Sequence, residues 1–227
     1  MLSAIIVAGG SSQRMGFDKT FALLAGTPVI VHSITAFEAA DSVSEIIVVG
    51  REDRLPDLRE AFAQRGFRKL CQVVAGGTHR QDSVARGLAR IGHDAKYVAV
   101  QDAARPLVRP EEIERVFEAA RREGAASLAA SVRDTLKRAD ADHVVTARIA
   151  RDGVFAMETP QIFERELLLR AYAFVAEHQL AITDEVSAVE RLQHKVVLVL
   201  NAQPNFKITY PADLPLAEFI LRQRAEP

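Results

Sequence analysis

The first apolar run of the chain ends on a glycine pair, and no other feature limits its possible folds as strongly. Leu2 to Ala8 is built mostly of small and β-branched apolar residues and reads as a strand buried on both faces. Gly9-Gly10 breaks it, and the chain runs on through Ser11, Ser12 and Gln13 to two cations, Arg14 and Lys19. Glycines let backbone N–H groups approach a ligand with no Cβ in the way. Arg14 offers a planar fork for phosphate oxygens, and Lys19 a mobile point charge. Open α/β sheets place ligands at the end of a strand in this way, which favours a phosphate cradle over an ordinary turn with surface cations. Two familiar glycine motifs do not fit. A P-loop needs Gly-Lys followed by Ser or Thr, and here Asp18 precedes Lys19. A dinucleotide fingerprint needs G-x-G-x-x-G, and Gly9, Gly10 and Gly16 are wrongly spaced.

Strand and helix patterns alternate after this loop. Helices are expected over 28–40, opened by Pro28 with Val29, Ile30, Ile34 and Phe37 on one face, and then over 55–65, 82–91 and 110–123. Strands are expected over 45–49, 70–75, 97–100 and 127–132. Further on come helices over 164–177 and 185–192, a strand over 195–200, a short strand near 207–209 and a closing helix over 211–222. Nearly continuous apolar strands alternating with helices predict a mostly parallel sheet covered on both faces, a Rossmann-like three-layer α/β sandwich. Between 133 and 150 no helix stripe appears. Val144, Val145, Thr146 and Ile149 would be wasted in a solvated loop, so a β-hairpin arm is expected to leave the main sheet there. The 227 residues suit one domain, 1–227, carrying that arm.

Charge excludes some classes of partner. The formal net charge is −1, which recruits neither nucleic acid nor an anionic membrane surface. No apolar run has the length of a membrane span. The first run lacks a basic region before it, so it is expected to be a core strand and not a signal peptide, with a cytoplasmic setting as the default. Cys71 is the only cysteine and is expected to be buried in its strand. The histidines are scattered, without metal-ligand spacing.

Four later clusters carry chemistry. In G-G-T-H-R-Q-D-S-V, Gly76-Gly77 repeats the exposed-backbone device, and Ser83 lies near a helix start, where its hydroxyl caps the helix or meets a ligand. In Q-D-A-A-R-P, Asp102 follows an apolar strand, a position suited to holding magnesium directly or through water. The alternative is an ion pair with Arg105 or a turn cap. In R-D-G-V-F-A-M-E-T-P-Q, Asp152-Gly153 signals a turn and Thr159-Pro160 an extended piece. In N-F-K-I-T-Y-P-A-D-L, Lys207 points opposite to Phe206 and Ile208. Taken alone it is expected to face solvent rather than a cleft.

Together these stretches resemble the 2-C-methyl-D-erythritol 4-phosphate cytidylyltransferase family. A-G-G-S-S-Q-R-M-G…K is shared with many nucleotidyltransferases. G-G-T-H-R-Q-D-S-V, D-A-A-R-P, V-R-D-T-L-K-R, T-P-Q-I-F, T-D-E-V-S-A-V-E and N-F-K-I-T-Y-P-A-D-L-P-L-A-E-F, in this order, are specific. The resemblance implies transfer of CMP from CTP to methylerythritol phosphate with Mg2+ as cofactor, in a homodimer. Arg14 and Lys19 match the pair that binds the triphosphate and stabilises the transition state. Ala8, Gly9, Gly10, Gly77 and Ser83 match positions enclosing the cytosine and ribose. Asp102 matches the acidic residue near magnesium and the substrates. Arg151 and Lys207 match residues that position the acceptor, and Thr135 and Arg105 match further acceptor contacts, some made across the dimer through the arm. Val7-Ala8-Gly9, Thr20 and Gln101 depart from the residues common in the family, without removing a charge. The runner-up is a cytidylyltransferase for ribitol 5-phosphate. A non-catalytic nucleotide sensor is disfavoured because Arg14, Lys19 and Asp102 are all present. The narrow slot between two glycine loops is expected to favour CTP over UTP and purine triphosphates.

Overall fold

The structure, a computed structural model, describes residues 1–10, 15–63 and 65–225. In chain order the elements are β1 (Leu2–Ala8), a small hairpin of β2 (Leu23–Leu24) and β3 (Thr27–Pro28), α1 (Val29–Ala39), β4 (Val43–Gly50), α2 (Leu55–Ala63) and β5 (Leu70–Ala75). There follow α3 (Arg80–Leu88), β6 (Tyr97–Asp102), α4 (Pro110–Glu123), β7 (Ala125–Ser131), β8 (Leu136–Ala139) and β9 (Val145–Ile149). The chain closes with β10 (Phe155–Glu164), α5 (Arg165–Glu177), α6 (Glu185–Glu190), β11 (Val197–Leu200) and α7 (Asp213–Ala225).

Seven strands form the central sheet in the order β11-β7-β10-β6-β1-β4-β5. β1 pairs in parallel with β4 on one side and β6 on the other, β4 with β5, and β11 with β7. β10 runs antiparallel between β6 and β7. Side chains alternate across the sheet, and each face has its own core. Leu2, Ala4, Ile6, Ile46, Val48 and Ala99 pack with Ile34 and Phe37 of α1 and Val116 of α4. Ile5, Ile47, Val49, Val98 and Val100 pack with Val84 of α3 and Leu168 of α5. This two-sided burial explains why β1 reads as continuously apolar. Each buried valine, leucine, isoleucine or phenylalanine side chain contributes about 1.5–3 kcal/mol. The β4 and β6 segments are longer than expected by one to two residues at an end, within the usual uncertainty of boundaries.

Three expectations need correction. β10, of 10 residues, follows the Asp152-Gly153 turn and contains the Thr159-Pro160 pair, both of which read as punctuation, so no strand was expected there. Its pairing with β7 shifts register between Met157 and Gln161, around the Thr159–Pro160 peptide, which is cis. The 207–209 segment is not a strand. Ile208 N donates to Ala104 O at 2.8 Å, but no ladder forms around it. Cys71 is exposed, because β5 is the edge strand of the sheet.

β8 and β9 pair antiparallel as a separate two-stranded sheet, which is the expected arm. Among the described residues no helix is long and apolar enough to cross a membrane. The parallel strands β1, β4, β5 and β6 all end at one edge of the sheet. There Gly76 N donates to Gly50 O at 2.7 Å and Ala103 N to Val7 O at 3.0 Å. With β4 on one side of β1 and β6 on the other, the chain changes direction across the sheet at β1, where an open α/β sheet forms a crevice.

Candidate active site

The crevice holds two adjoining hollows. The larger, about 540 Å³, is lined by Ala8, Gly9 and Gly10 from the end of β1, by Lys19, by Gly77 and Ser83, and by Asp102 and Lys207. The smaller, about 280 Å³, is lined by Arg105, Met157, Glu158, Thr159, Gln161 and Asp184. Arg80, Asp102 and Lys207 border both, so they form the seam.

The two glycine pairs do different work. A Cβ on Gly77 would lie 2.2 Å from Asp82 Cβ, and one on Gly76 would lie 2.6 Å from Ser83 Oγ, so the start of α3 packs directly on this backbone. Among the described residues, a Cβ on Gly10 would meet nothing within 4 Å, and one on Gly9 only Ser83 Oγ at 3.5 Å. The second pair is thus required by close packing, while the first leaves backbone open to the hollow. Ser83 is buried. Its Oγ accepts from Gly77 N at 3.1 Å and donates to His79 O at 3.3 Å, while Asp82 Oδ2 accepts from His79 N at 2.9 Å. Both side chains therefore cap the loop and helix start, and Ser83 lines the hollow as well.

Asp102 ends β6. Its N–H donates to Thr159 Oγ1 of β10 at 3.1 Å. Three cations surround its carboxylate: Lys207 Nζ at 2.9 Å from Oδ2, Arg80 Nε at 3.4 Å from Oδ1 and Arg105 Nε at 3.6 Å from Oδ2. Burial pushes the carboxyl upward, but the three positive charges and the Lys207 hydrogen bond outweigh it and hold Asp102 well below the usual carboxylate range. Asp102 is thus ionised at neutral pH, and the expected Asp102–Arg105 pair exists within a larger cluster.

Lys207 does not face solvent as expected. Ile208 is fully buried, and Lys207, turned opposite to it, lies over the seam. The alternation along 206–208 was legible; which side was the cleft was not. Lys19 Nζ donates to Ile208 O at 2.9 Å, linking the glycine-loop segment to the Lys207 segment. Asp18 Oδ1 accepts from Thr20 N at 3.0 Å and shapes the turn that carries Lys19. Arg14 lies outside the described residues. Arg105 donates through Nη1 to Asn205 O at 2.8 Å and through Nη2 to Met157 O at 3.1 Å, so its guanidinium also braces the floor of the smaller hollow. Thr135 and Arg151 are exposed on and beside the arm, and Arg151 Nη1 donates to Arg133 O at 2.6 Å. Neither lines either of these two hollows.

Sequence reasoning missed Arg80 and its partners. Arg80 makes a two-pronged pair with Glu185, at 2.6 and 2.9 Å, across 105 residues of chain. Both residues stood inside motifs already singled out, but no local pattern announces a pair so distant. Glu158 was missed too. It is buried, its Oε2 accepts from Asn201 at 3.0 Å and Asn205 at 3.3 Å, and burial holds its carboxyl above the usual range against those hydrogen bonds. Among the described residues no group of three or more His, Cys, Asp or Glu forms a ready-made metal cage.

This arrangement suits the joining of two phosphate-bearing molecules, one in each hollow. Residues 2–223 match the family model of 2-C-methyl-D-erythritol 4-phosphate cytidylyltransferase. A protein of that name from Acidobacterium capsulatum is 41% identical over 232 residues, covering 97% of each chain. Two solved structures are similar throughout. The 4-diphosphocytidyl-2C-methyl-D-erythritol synthase of Anaerococcus prevotii superposes with a TM-score of 0.86 at 27% identity, covering 98% of this chain and 96% of that one. The 2-C-methyl-D-erythritol 4-phosphate cytidylyltransferase of Thermus thermophilus superposes with a TM-score of 0.80 at 30% identity, covering 96% of this chain and 98% of that one.

Proposed function

Because the chain belongs to the 2-C-methyl-D-erythritol 4-phosphate cytidylyltransferase family, we propose that it transfers CMP from CTP to 2-C-methyl-D-erythritol 4-phosphate. The products are pyrophosphate and 4-diphosphocytidyl-2-C-methyl-D-erythritol, an intermediate in isoprenoid precursor biosynthesis. The observation that carries the reading is the seam: Asp102 and its cations stand where an open-backbone nucleotide hollow meets a second hollow of acceptor size.

In this reading the triphosphate lies against Gly9, Gly10 and Lys19, and the acceptor lies beyond Asp102 with its phosphate near Lys207. An acceptor phosphate oxygen attacks the α-phosphorus. The new P–O bond forms as the bond to the β-phosphate oxygen breaks, and the electron pair leaves with pyrophosphate. The attacking phosphate is already ionised, so no general base is required. What the protein must supply is charge neutralisation and alignment of two anions. Lys19 meets the charge growing on the departing pyrophosphate, with Arg14 in the same loop of sequence. Lys207 draws in the acceptor phosphate, and Asp102 fixes Lys207.

Magnesium belongs to the same reading. Asp102 is the one carboxylate among the described residues lining the larger hollow, and Mg2+ is commonly held by one or two carboxylates together with substrate phosphates and waters. Asp102 fits that role through water, since Lys207 and Arg80 already occupy both its oxygens. When bound, the ion would neutralise triphosphate charge. A homodimer is also proposed. The arm exposes Val144 and Val145, each 60% accessible, and carries Thr135 with Arg151 at its base, away from its own hollows. A second copy's arm would bring the same residue types to the acceptor. A cytoplasmic setting accords with a nucleotide substrate.

The test is pyrophosphate release from CTP with methylerythritol phosphate against ribitol 5-phosphate, and from ATP with the same acceptors. Methylerythritol phosphate with CTP should be turned over best. Preference for ribitol phosphate would replace the acceptor, and equal use of ATP would remove the proposed base selectivity.

A further inference from the structure

Asp102 is fixed from behind as well as from its flanks. Arg80 sits at the first turn of α3 and turns Nε toward Asp102 Oδ1, at 3.4 Å. Its two Nη atoms face the other way and meet Glu185 Oε1 and Oε2 at 2.6 and 2.9 Å. Glu185 is fully buried, and Tyr172 Oη of α5 donates to its Oε1 at 3.0 Å. Gln161 Oε1 of β10 accepts from the backbone N–H groups of Glu185 and Val186, each at 3.2 Å, so the start of α6 is tied to the strand beside Asp102.

A buried ion pair is weak ground for stability, because apolar residues of similar volume often serve as well. What this one supplies is direction. A guanidinium gripped at both Nη atoms presents only Nε to Asp102, in a plane set by Glu185. Glu185 and Tyr172 line neither hollow. Lys207 and Arg80 hold different oxygens of Asp102. An acceptor phosphate can therefore draw Lys207 away while Arg80 keeps Asp102 in place and partnered.

We propose that Arg80 is a positioning residue for the transfer: Glu185, itself held by Tyr172, grips its guanidinium from behind, and it anchors Asp102 at the seam so that Lys207 can pass to the incoming phosphate. This rests on the function proposed above.

The experiment uses the full chain, with steady-state pyrophosphate release and CTP binding by calorimetry for wild type, Glu185→Gln, Tyr172→Phe and Arg80→Lys. Glu185→Gln keeps the shape but removes the charge and one of the two oxygens that grip Arg80. Its kcat should fall by about 10–10²-fold and its acceptor KM should rise, because small misplacements at a reacting centre are costly. Its CTP affinity should stay within about twofold of wild type. Tyr172→Phe should shift the same two parameters in the same direction by less. Arg80→Lys, although it keeps the charge, should shift them in the same direction, since one ammonium cannot span both carboxylates. If Glu185→Gln lowers the melting temperature but leaves kcat and acceptor KM within about twofold of wild type per folded molecule, the pair is merely structural and the proposal is overturned. Should that variant not fold, Tyr172→Phe decides on the same two parameters. Wild type inactive on CTP with methylerythritol phosphate would sink the functional reading and this one with it. Active wild type with unaffected variants would sink this one alone.

Discussion

Lys19 and Lys207 line the same hollow, yet the proposed chemistry divides them. Lys207 reaches the seam and the acceptor side, so Lys207→Ala should raise the acceptor KM and lower kcat, with CTP binding in the absence of acceptor changed less. Lys19→Ala should chiefly lower kcat, by about 10²–10³, the usual cost of roughly 2–4 kcal/mol for one charge-assisted contact in a transition state. Steady-state kinetics of both variants with CTP calorimetry checks the division, and loss of CTP binding in Lys207→Ala alone would reverse it. Asp102 also leaves a signature in stability. Its folded-state carboxyl lies below the ordinary value of 3.8, because burial, which raises it, is outweighed by Lys207, Arg80 and Arg105. A depressed acid stabilises the fold above its unfolded value, and that contribution is lost as pH falls through the folded one. Asp102→Asn should therefore melt below wild type at pH 7, with the gap narrowing as pH drops below about 4. Melting curves across that range test it. A gap that widens on acidification would contradict the charge balance described for the seam.

At the scale of elements, the start of α3 and the glycines before it form one device. Arg80 opens the helix, Asp82 and Ser83 cap it and its loop, and Gly76-Gly77 let it press against the end of the sheet. Gly77→Ala would set a Cβ 2.2 Å from Asp82 Cβ, so the first turn of α3 must move. We expect destabilisation of about 1–3 kcal/mol in urea unfolding, as for other overpacked sites, and a marked loss of CTP affinity in the same protein. Gly10→Ala, whose Cβ would meet none of the described residues within 4 Å, should be close to wild type in stability. Equal destabilisation by both would mean that the two glycine pairs are not different in kind.

The whole molecule presents a sheet whose carboxyl edge holds the site and an arm that stands apart from it. Two residues expected to meet the acceptor, Thr135 and Arg151, lie on or beside that arm and line neither of the two hollows described. Both observations fit a site completed by a second copy. Replacing the segment 133–150 with a short linker should give a monomer with little activity in sedimentation and pyrophosphate assays. Wild type that sediments as a monomer at assay concentrations would remove the dimer from the account.

Much of this protein is local, and local physics is written along the chain. The apolar continuity of β1, the Pro110 start and Glu123 end of α4, and the apolar flecks of the arm each follow from neighbouring residues, so their places were legible. So were Lys19, Gly77, Ser83 and Asp102 as members of the crevice. β10 escaped because its punctuation, Asp152-Gly153 and Thr159-Pro160, sits before and within a strand that pairs antiparallel with partners distant in sequence. The direction of Lys207 depended on which side of Ile208 the core lay. The grip of Glu185 on Arg80 depended on α6 being brought back over α3 by β10 and α5. By itself the sequence determined the layers, the two glycine loops and the charged residue types. Only the tertiary structure decided which charges meet, because an ion pair across 105 residues exists through packing of the elements between and leaves no periodicity to read.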